Sequence, residues 1–251
     1  MRCPSAGAPA PAPALSDAGV GAAHRRRLRD VFRSAGWPCH DVIEIELLAA
    51  GLLQRRHDTQ GRETLRVSDA GIACLAQTLQ AHRARRDAHE ALVERVSREM
   101  TRCGRLAWRS LSIRARVADG WAMAKPDVFS IRHTTTESWL EPIVHEVKVQ
   151  RSDLLADLRR PAKRAAYLQL AGACWYVLRA GIAEPEEIPP ECGVMVATDT
   201  TLAVLRPAPR RAHPMRFDQW MALARATPVP GWQHDDAQQW LGDPRPEDPA
   251  G

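Results

Sequence analysis

The segment PIVHEVKV, residues 142–149, is a short run of mostly apolar, β-branched residues, which predicts a β-strand. Side chains alternate between the two faces of a strand, so Glu146 and Lys148 are predicted to share one face. Upstream, the segment DVFSI at 127–131 predicts a neighbouring strand that begins at Asp127. Two carboxylates and a lysine are therefore expected to converge across one sheet.

This set of side chains is suited to metal-assisted phosphodiester hydrolysis. Two carboxylates offer the hard oxygen ligands that Mg²⁺ or Mn²⁺ prefers. A lysine beside them can bind a phosphate or position a water molecule. The alternative interpretation of Glu146 and Lys148 is a surface ion pair on the sheet. The lysines Lys125, Lys148 and Lys163 all lie in this region, whereas the other 32 basic residues are arginines, which favours a role that suits a compact ammonium.

The flanking sequence predicts alternating helices and strands. A helix over 87–102 is expected to begin at Asp87, unless the helix-compatible residues 81–86 join it to the preceding helix without a break, and to precede a half-buried strand over 111–117. A helix over 152–172 is interrupted at Pro161, and its residues Asp153 and Asp157 are expected to cap it and face solvent. The other predicted elements are strands at 174–178, 193–197 and 201–205, of which the last two form a hairpin, and a short helix at 215–225.

The pattern P-D followed by E-x-K on successive strands, after a helix that carries glutamates, resembles the PD-(D/E)XK nuclease superfamily. The resemblance implies an α/β fold with a restriction-endonuclease-like mixed central sheet flanked by helices. It implies a Mg²⁺- or Mn²⁺-dependent DNA endonuclease or repair nuclease, with metal at Asp127 and Glu146 and with Lys148 as a catalytic residue. The acid of the leading helix maps onto Glu90 or Glu94, and Glu90 is preferred because its distance to the first strand is more typical.

The sequence from about residue 120 to 206 is also similar to the MmcB-related bacterial DNA-repair family. The similarity rests on E-V-K, S-D-L-L-A-D, K-x-x-x-Y, W-Y-V and C-G-V-M-V-A motifs. Lys163 and Tyr167 are four residues apart and share a helix face. The resemblance implies that they support the active site, together with Lys125. The alternative is an exposed charge and a tyrosine at the edge of the core.

Residues 24–86 form a separate pattern. A short helix over 24–36 is followed by a second helix that Asp41 caps, a hairpin over 53–67 and a long helix that Ser68 caps. The apolar stripe of the second helix is predicted at Val42, Ile45, Leu48 and Ala49.

This order of elements resembles a winged helix-turn-helix, a small α+β module that implies DNA binding through the hairpin. The alternative is a helical adaptor with a β-ribbon, because only two helices precede the hairpin. Predicted DNA contacts are Arg55, Arg56, Arg62 and Arg66 on the hairpin and Arg114 and Arg116 on the strand over 111–117.

Composition and charge narrow the class of protein. The chain is 45% hydrophobic and 26% charged and has no run of 18 apolar residues, so a membrane span is excluded. The formal net charge is +5, although residues 226–251 carry five acids and one arginine. A basic body favours a polyanionic partner, most simply DNA. The start of the chain lacks the pattern of a signal peptide and there is no C-x-x-C pair, so a cytoplasmic, nucleoid-associated bacterial protein is expected.

The sequence thus predicts a disordered arm at 1–23, a winged-helix-like module at 24–86, a nuclease-like domain at 87–225 and an acidic disordered tail at 226–251. Two functions follow. The first is a metal-dependent DNA endonuclease or repair nuclease, with a homodimer as a candidate assembly by analogy with relatives. The second is a non-catalytic DNA-binding or regulatory protein that combines a winged helix with an inactive nuclease-fold scaffold. The choice between DNA and RNA and the strandedness of the substrate stay open.

Overall fold

The structure is a computed structural model that describes residues 19–117 and 120–230. The chain divides into two compact units, Met1–Ala84 and Arg85–Gly251. Most of the predicted arm and tail lies outside the described residues. In the described part of the arm, the first helix already begins at Ala22. In the described part of the tail, the backbone N–H of Val229 donates to the carbonyl of Ala107 at 2.7 Å. The described fold therefore extends slightly beyond both predicted boundaries.

The first unit contains the predicted order of two helices, a hairpin and a helix. Its elements are α1 (Ala22–Arg33), α2 (Val42–Ala49), β1 (Leu53–His57), β2 (Glu63–Val67) and the start of α3 (Asp69–Arg102). Both predicted caps are confirmed, since Asp41 accepts from the backbone of Glu44 at 2.8 Å and Ser68 Oγ accepts from the backbone of Gly71 at 3.1 Å. The helix α3 is continuous over 34 residues. The helix therefore does not start at Asp87, and the alternative that residues 81–86 join the two predicted helices is confirmed.

The predicted apolar stripe of α2 is wrong. Val42 and Ile45 are exposed, whereas Leu47 is buried beside Glu44. The core of this unit is formed by Leu28, Val31, Leu47, Leu53, Leu65 and Val67. A carboxylate thus lies on the buried face of α2, whereas the predicted stripe contained only aliphatic side chains. The reason is a set of donors contributed from outside α2.

Glu44 accepts hydrogen bonds from the backbone N–H groups of Cys39 and His40, at 2.7 and 2.8 Å, and from Arg27 of α1. Burial raises the pKa of Glu44, but the hydrogen bonds from Cys39, Arg27 and His40 outweigh it and hold the pKa below its usual value. The carboxylate therefore connects α1, the loop before α2, and α2 itself.

Replacing Glu44 with alanine is expected to lower the free energy of opening of the first unit by about 1–3 kcal/mol, because several buried donors lose their acceptor. Hydrogen exchange of peptides from residues 19–84 would measure this change. The matched control is Glu46→Ala, since the carboxylate of Glu46 is half exposed and, within the described ranges, pairs with His24 alone. Equal protection of the two variants would contradict this role of Glu44.

The second unit is built on a six-stranded mixed sheet with the order β10-β9-β8-β7-β6-β3. Its strands are β3 (Arg105–Arg109), β6 (Val128–Arg132), β7 (Ile143–Lys148), β8 (Ala173–Arg179), β9 (Gly193–Ala197) and β10 (Leu202–Arg206). The strands β3, β6 and β7 are antiparallel neighbours, β7, β8 and β9 are parallel, and β9 and β10 form the predicted antiparallel hairpin. The fold class is therefore α/β, as predicted.

Helices cover both faces of this sheet. On one face, α3 packs through residues including Val93 and Val96 against Val128 and Val147. On the other face lie α4 (Arg151–Leu158) and α5 (Pro161–Leu168), which begins at the proline that was predicted to interrupt the helix. A last helix, α6 (Phe217–Ala224), follows β10. None of the helices in the described ranges is both long and apolar enough to cross a membrane.

The second unit also contains a two-stranded sheet that was not predicted. The strand expected over 111–117 is β4 (Ile113–Val117), and it pairs with β5 (Gly120–Ala124) instead of joining the central sheet. Neither β3 nor β5 was predicted. Their sequences, RLAWR and GWAMA, are short and carry no clear alternation of apolar and polar residues, so only pairing with a partner strand defines them.

Candidate active site

The strand β7 places Glu146 and Lys148 on the sheet face that α4 and α5 cover. Each residue is only 4% exposed, and Lys148 Nζ donates to Glu146 Oε1 at 2.7 Å. The two side chains share a face, as the alternation along the strand predicts. The alternative of a surface ion pair is contradicted by their burial, and a charged pair held inside the protein needs further partners.

Those partners come from the two helices that follow β7. Lys163 Nζ of α5 donates to Glu146 Oε1 at 2.5 Å and to Asp157 Oδ1 at 2.6 Å. Lys148 Nζ lies 3.5 Å from Asp157 Oδ1, and Tyr176 of β8 donates to Asp157 Oδ2 at 2.8 Å. Two ammonium groups and two carboxylates therefore form one connected cluster on the sheet.

Asp157 was expected to face solvent, and this expectation is wrong. Its side chain is only 7% exposed, whereas that of Asp153, one turn earlier on α4, is 55% exposed. The chain turns between α4 and α5, so Lys163 returns to the side of α4 that carries Asp157. A helical pattern on α4 alone does not contain this information.

The electrostatics of the cluster follow from burial and opposite charge. Burial lowers the pKa of Lys148, but the carboxylate of Glu146 outweighs it, so the pKa lies above its ordinary value and the ammonium stays charged. The pKa of Lys163 is raised in the same way. Burial raises the pKa of Glu146, the charge of Asp127 raises it further, and the two lysines offset this only in part. A further cation beside Glu146 would therefore favour its ionised form.

Asp127 precedes β6 and is held by both neighbouring elements. Its Oδ2 accepts from the backbone N–H of Val147 at 2.8 Å, and His89 Nε2 of α3 lies 3.4 Å from the same oxygen. The adjacent carboxylate of Asp127 raises the pKa of His89. His89 lies on the same face of α3 as Val93 and Val96, which was the one sequence signal for its position.

Glu90 and Glu94, the two glutamates predicted as the acid of the leading helix, do not contact Asp127 in the described structure. Glu90 is 68% exposed and its Oε1 lies 3.5 Å from His89 Nδ1. Glu94 pairs with Arg98 at 2.5 Å on the solvent side of α3. The residue of α3 that contacts Asp127 is His89 in the described structure.

Tyr167 and Lys125 meet through the backbone. The phenol of Tyr167 is buried and donates to the carbonyl of Lys125 at 3.1 Å, while the side chain of Lys125 is exposed. The ammonium of Lys163 lies 5.3 Å from the centre of the Tyr167 ring. Tyr167 therefore positions both Lys163 and the chain that leads to Asp127.

Asp127 and Glu146, the two predicted metal ligands, fit a divalent cation because one carboxylate oxygen of Glu146 has no hydrogen-bond partner in the described structure. Both lysines contact Oε1 of Glu146, while its Oε2 is buried without a hydrogen-bond partner in the described structure. Asp127 is close enough for its charge to raise the pKa of Glu146. Within the described ranges, no group of three or more His, Cys, Asp and Glu residues is arranged to hold a metal ion. A cation here would thus need ligands beyond these carboxylates, such as water or phosphate.

A cleft of about 380 Å³ lies beside the cluster. It is lined from α3 by Arg85, Arg86 and His89 and from the start of α4 by Ser152 and Asp153. Both arginines are exposed. The cleft is therefore an open, basic space within the second unit that adjoins two residues in contact with the cluster.

The arginines predicted to contact DNA are all exposed. On the hairpin of the first unit, Arg55 lies 3.3 Å from Glu63 and Arg62 lies 2.7 Å from Asp58. The other two hairpin arginines line a groove of about 440 Å³ in that unit. These two are Arg56 and Arg66. The remaining predicted contacts, Arg114 and Arg116, lie on β4.

Comparisons with known proteins assign no family. No protein-family model matches the chain, and no curated protein is similar to it. The solved structure of a protein described as "SPO1766 protein of unknown function from Silicibacter pomeroyi" is similar with 17% identity. The similarity covers 58% of this chain and 83% of that chain, with a TM-score of 0.38.

Proposed function

We propose that the protein is a metal-dependent nuclease that hydrolyses phosphodiester bonds in DNA. The observation that carries this proposal is the convergence of Asp127, Glu146 and Lys148 on neighbouring strands, next to a basic cleft. Three antiparallel strands, a helical crossover and a parallel strand follow α3, an order that supports a restriction-endonuclease-like arrangement.

Each residue of the cluster has a role in this proposal. Asp127 and Oε2 of Glu146 would hold Mg²⁺ or Mn²⁺, which would supply an activated water molecule and neutralise phosphate charge. Lys148 keeps its proton and offers a fixed positive charge to the scissile phosphate. Asp157 holds the ammonium of Lys148 in place and Lys163 holds Glu146. Tyr167 supports Lys163 and the chain before Asp127. Arg85 and Arg86 would bind neighbouring phosphates.

Incubation with single-stranded, duplex and branched DNA in Mg²⁺ or Mn²⁺ tests the proposal. Lys148→Met is expected to lower cleavage by at least about 10²-fold, because a preorganised charge is lost from the transition state. Arg210→Met is the matched control, since Arg210 is exposed and pairs with Glu141 at 3.3 Å. If Lys148→Met cleaved DNA as fast as the wild type does, Lys148 would not be a catalytic residue.

The second candidate function is DNA binding without catalysis. It is favoured by one observation, namely that Glu146 Oε1 is already engaged by two lysines, so the cluster is stable as an ion-pair network. Salt-sensitive binding to DNA without cleavage of any substrate would select this candidate. A homodimer and a cytoplasmic location stay predictions under either function.

A further inference from the structure

The hairpin formed by β4 and β5 has one buried and one exposed face. Ile113, Ala115 and Ala124 are buried. On the opposite face, the strand register pairs Arg114 with Met123 and Arg116 with Trp121. Residues directly opposite one another on antiparallel strands point to the same side of the sheet, so these four side chains form one surface. We call it the hairpin face.

The hairpin face displays large apolar side chains among cations. Trp121 is 55% exposed and Met123 is 66% exposed. The guanidinium of Arg114 lies 5.2 Å from the centre of the Trp121 ring, and that of Arg216 lies 5.7 Å from it. Exposure of this much indole costs hydrophobic free energy, which makes a tryptophan bordered by cations typical of a binding surface.

Among the described residues, the charge of this surface is mostly uncompensated. Arg216 is paired with Asp218, at 3.1 Å, and also donates to the carbonyl of Arg114 at 3.2 Å. By contrast, Arg114 and Arg116 form no ion pair with any carboxylate that the structure describes. Two exposed guanidinium groups beside an exposed aromatic ring are complementary to a chain of phosphates and bases.

The hairpin face also leads towards the candidate active site. Asp127 follows Trp121 by six positions, so their Cα atoms are at most roughly 22 Å apart. Lys125 lies between them in sequence and its side chain is exposed. At the rise of about 3.4 Å per nucleotide of a duplex strand, this upper limit corresponds to about six nucleotides. A single bound strand can therefore reach both places.

We propose that the hairpin face binds single-stranded DNA, with an unpaired base stacked on Trp121 and phosphates contacting Arg114 and Arg116. This inference rests on the proposed nuclease function and names its substrate class as DNA with unpaired nucleotides. In a duplex the faces of the bases are already stacked on one another, so only an unpaired base can offer its face to an indole. Stacking of this kind tolerates any base sequence.

The test measures binding of the full chain to a labelled oligothymidine and to a labelled duplex by fluorescence anisotropy, with EDTA present to prevent cleavage. Trp121→Ala is expected to weaken oligothymidine binding about tenfold or more, which is the size of one lost base stack. Duplex affinity is expected to stay unchanged. Trp121→Phe should retain most of the affinity for the single strand because phenylalanine still offers an aromatic face.

The matched control is Trp139→Ala, since Trp139 is 61% exposed in the same unit but lies outside the hairpin face. Unchanged oligothymidine affinity for Trp121→Ala would overturn the inference, and equal losses for single strand and duplex would do the same. A change in self-association on sedimentation, without a change in DNA binding, would instead assign the face to a contact between copies. The predicted loss in Trp121→Ala, combined with absence of cleavage by the wild type, would support this inference and contradict the nuclease.

Discussion

Replacing Glu146 with glutamine is expected to lower metal-dependent cleavage by more than about 10³-fold, which exceeds the loss of a single transition-state contact because a metal ligand also disappears. The substitution removes the charge of the carboxylate and replaces with an NH2 group the oxygen Oε2, which is buried without a hydrogen-bond partner in the described structure. An amide keeps an oxygen in the position of Oε1, which can still accept from Lys148 and Lys163. The variant should therefore fold and lose the metal.

Two measurements separate loss of the metal from loss of the fold. Titration with Mn²⁺, followed by electron paramagnetic resonance, should show weaker binding in Glu146→Gln, while circular dichroism should show an unchanged fold. Glu94→Gln is the matched control because the side chain of Glu94 is 44% exposed and pairs only with Arg98 in the described structure. Retention of both Mn²⁺ affinity and cleavage in Glu146→Gln would remove Glu146 from the site.

Replacing Asp157 with alanine is expected to lower the free energy of unfolding of the second unit by about 3–5 kcal/mol, the cost of removing one partner from a buried ion pair. Its carboxylate accepts from Lys163 at 2.6 Å and from Tyr176 at 2.8 Å. Without the carboxylate of Asp157, Glu146 is left as the acceptor for two lysines, and the phenol of Tyr176 loses its hydrogen-bond acceptor. Urea denaturation monitored by tryptophan fluorescence measures the change.

Asp153 provides an internal control one turn away on the same helix. Its side chain is 55% exposed and lies 3.5 Å from Lys148, so Asp153→Ala is expected to cost less than about 1 kcal/mol. If the two alanine variants were equally stable, the buried network would not contribute to folding in the way its geometry indicates.

The effect of Asp157 should also depend on pH. Burial raises the pKa of Asp157, but the hydrogen bond from Lys163 and the charges of the two lysines outweigh it, so the folded-state pKa is lowered. A lowered carboxyl pKa stabilises the fold above the unfolded-state value of about 3.9, and this contribution is lost as the pH falls through the folded-state value. The stability difference between wild type and Asp157→Ala should therefore be full at neutral pH and narrow in acid.

The local part of the structure follows from local sequence. The caps at Asp41 and Ser68, the break at Pro161 and the shared face of Glu146 and Lys148 depend on residues within a few positions of one another. Each of these features was predicted correctly, because hydrogen-bonding caps, proline geometry and the alternation of a strand act over short distances.

What the sequence could not determine depends on residues far apart in the chain. The burial of Glu44 requires Arg27 of α1, which is 17 positions away, and β3 becomes a strand only because β6 pairs with it. His89 and Asp127 meet although 38 positions separate them. Such contacts form when the ordering of distant segments is offset by shared burial.

The candidate site depends both on local sequence and on contacts between distant parts of the chain. The sequence by itself determined that two carboxylates and a lysine lie on adjacent strands. Tertiary structure alone decided that Lys163 and Asp157 complete their cluster and that His89, rather than Glu90, contacts Asp127. The physical reason is that a buried charge must be paired, and only the packing of α3, α4 and α5 on the sheet determines which charged side chains are within reach.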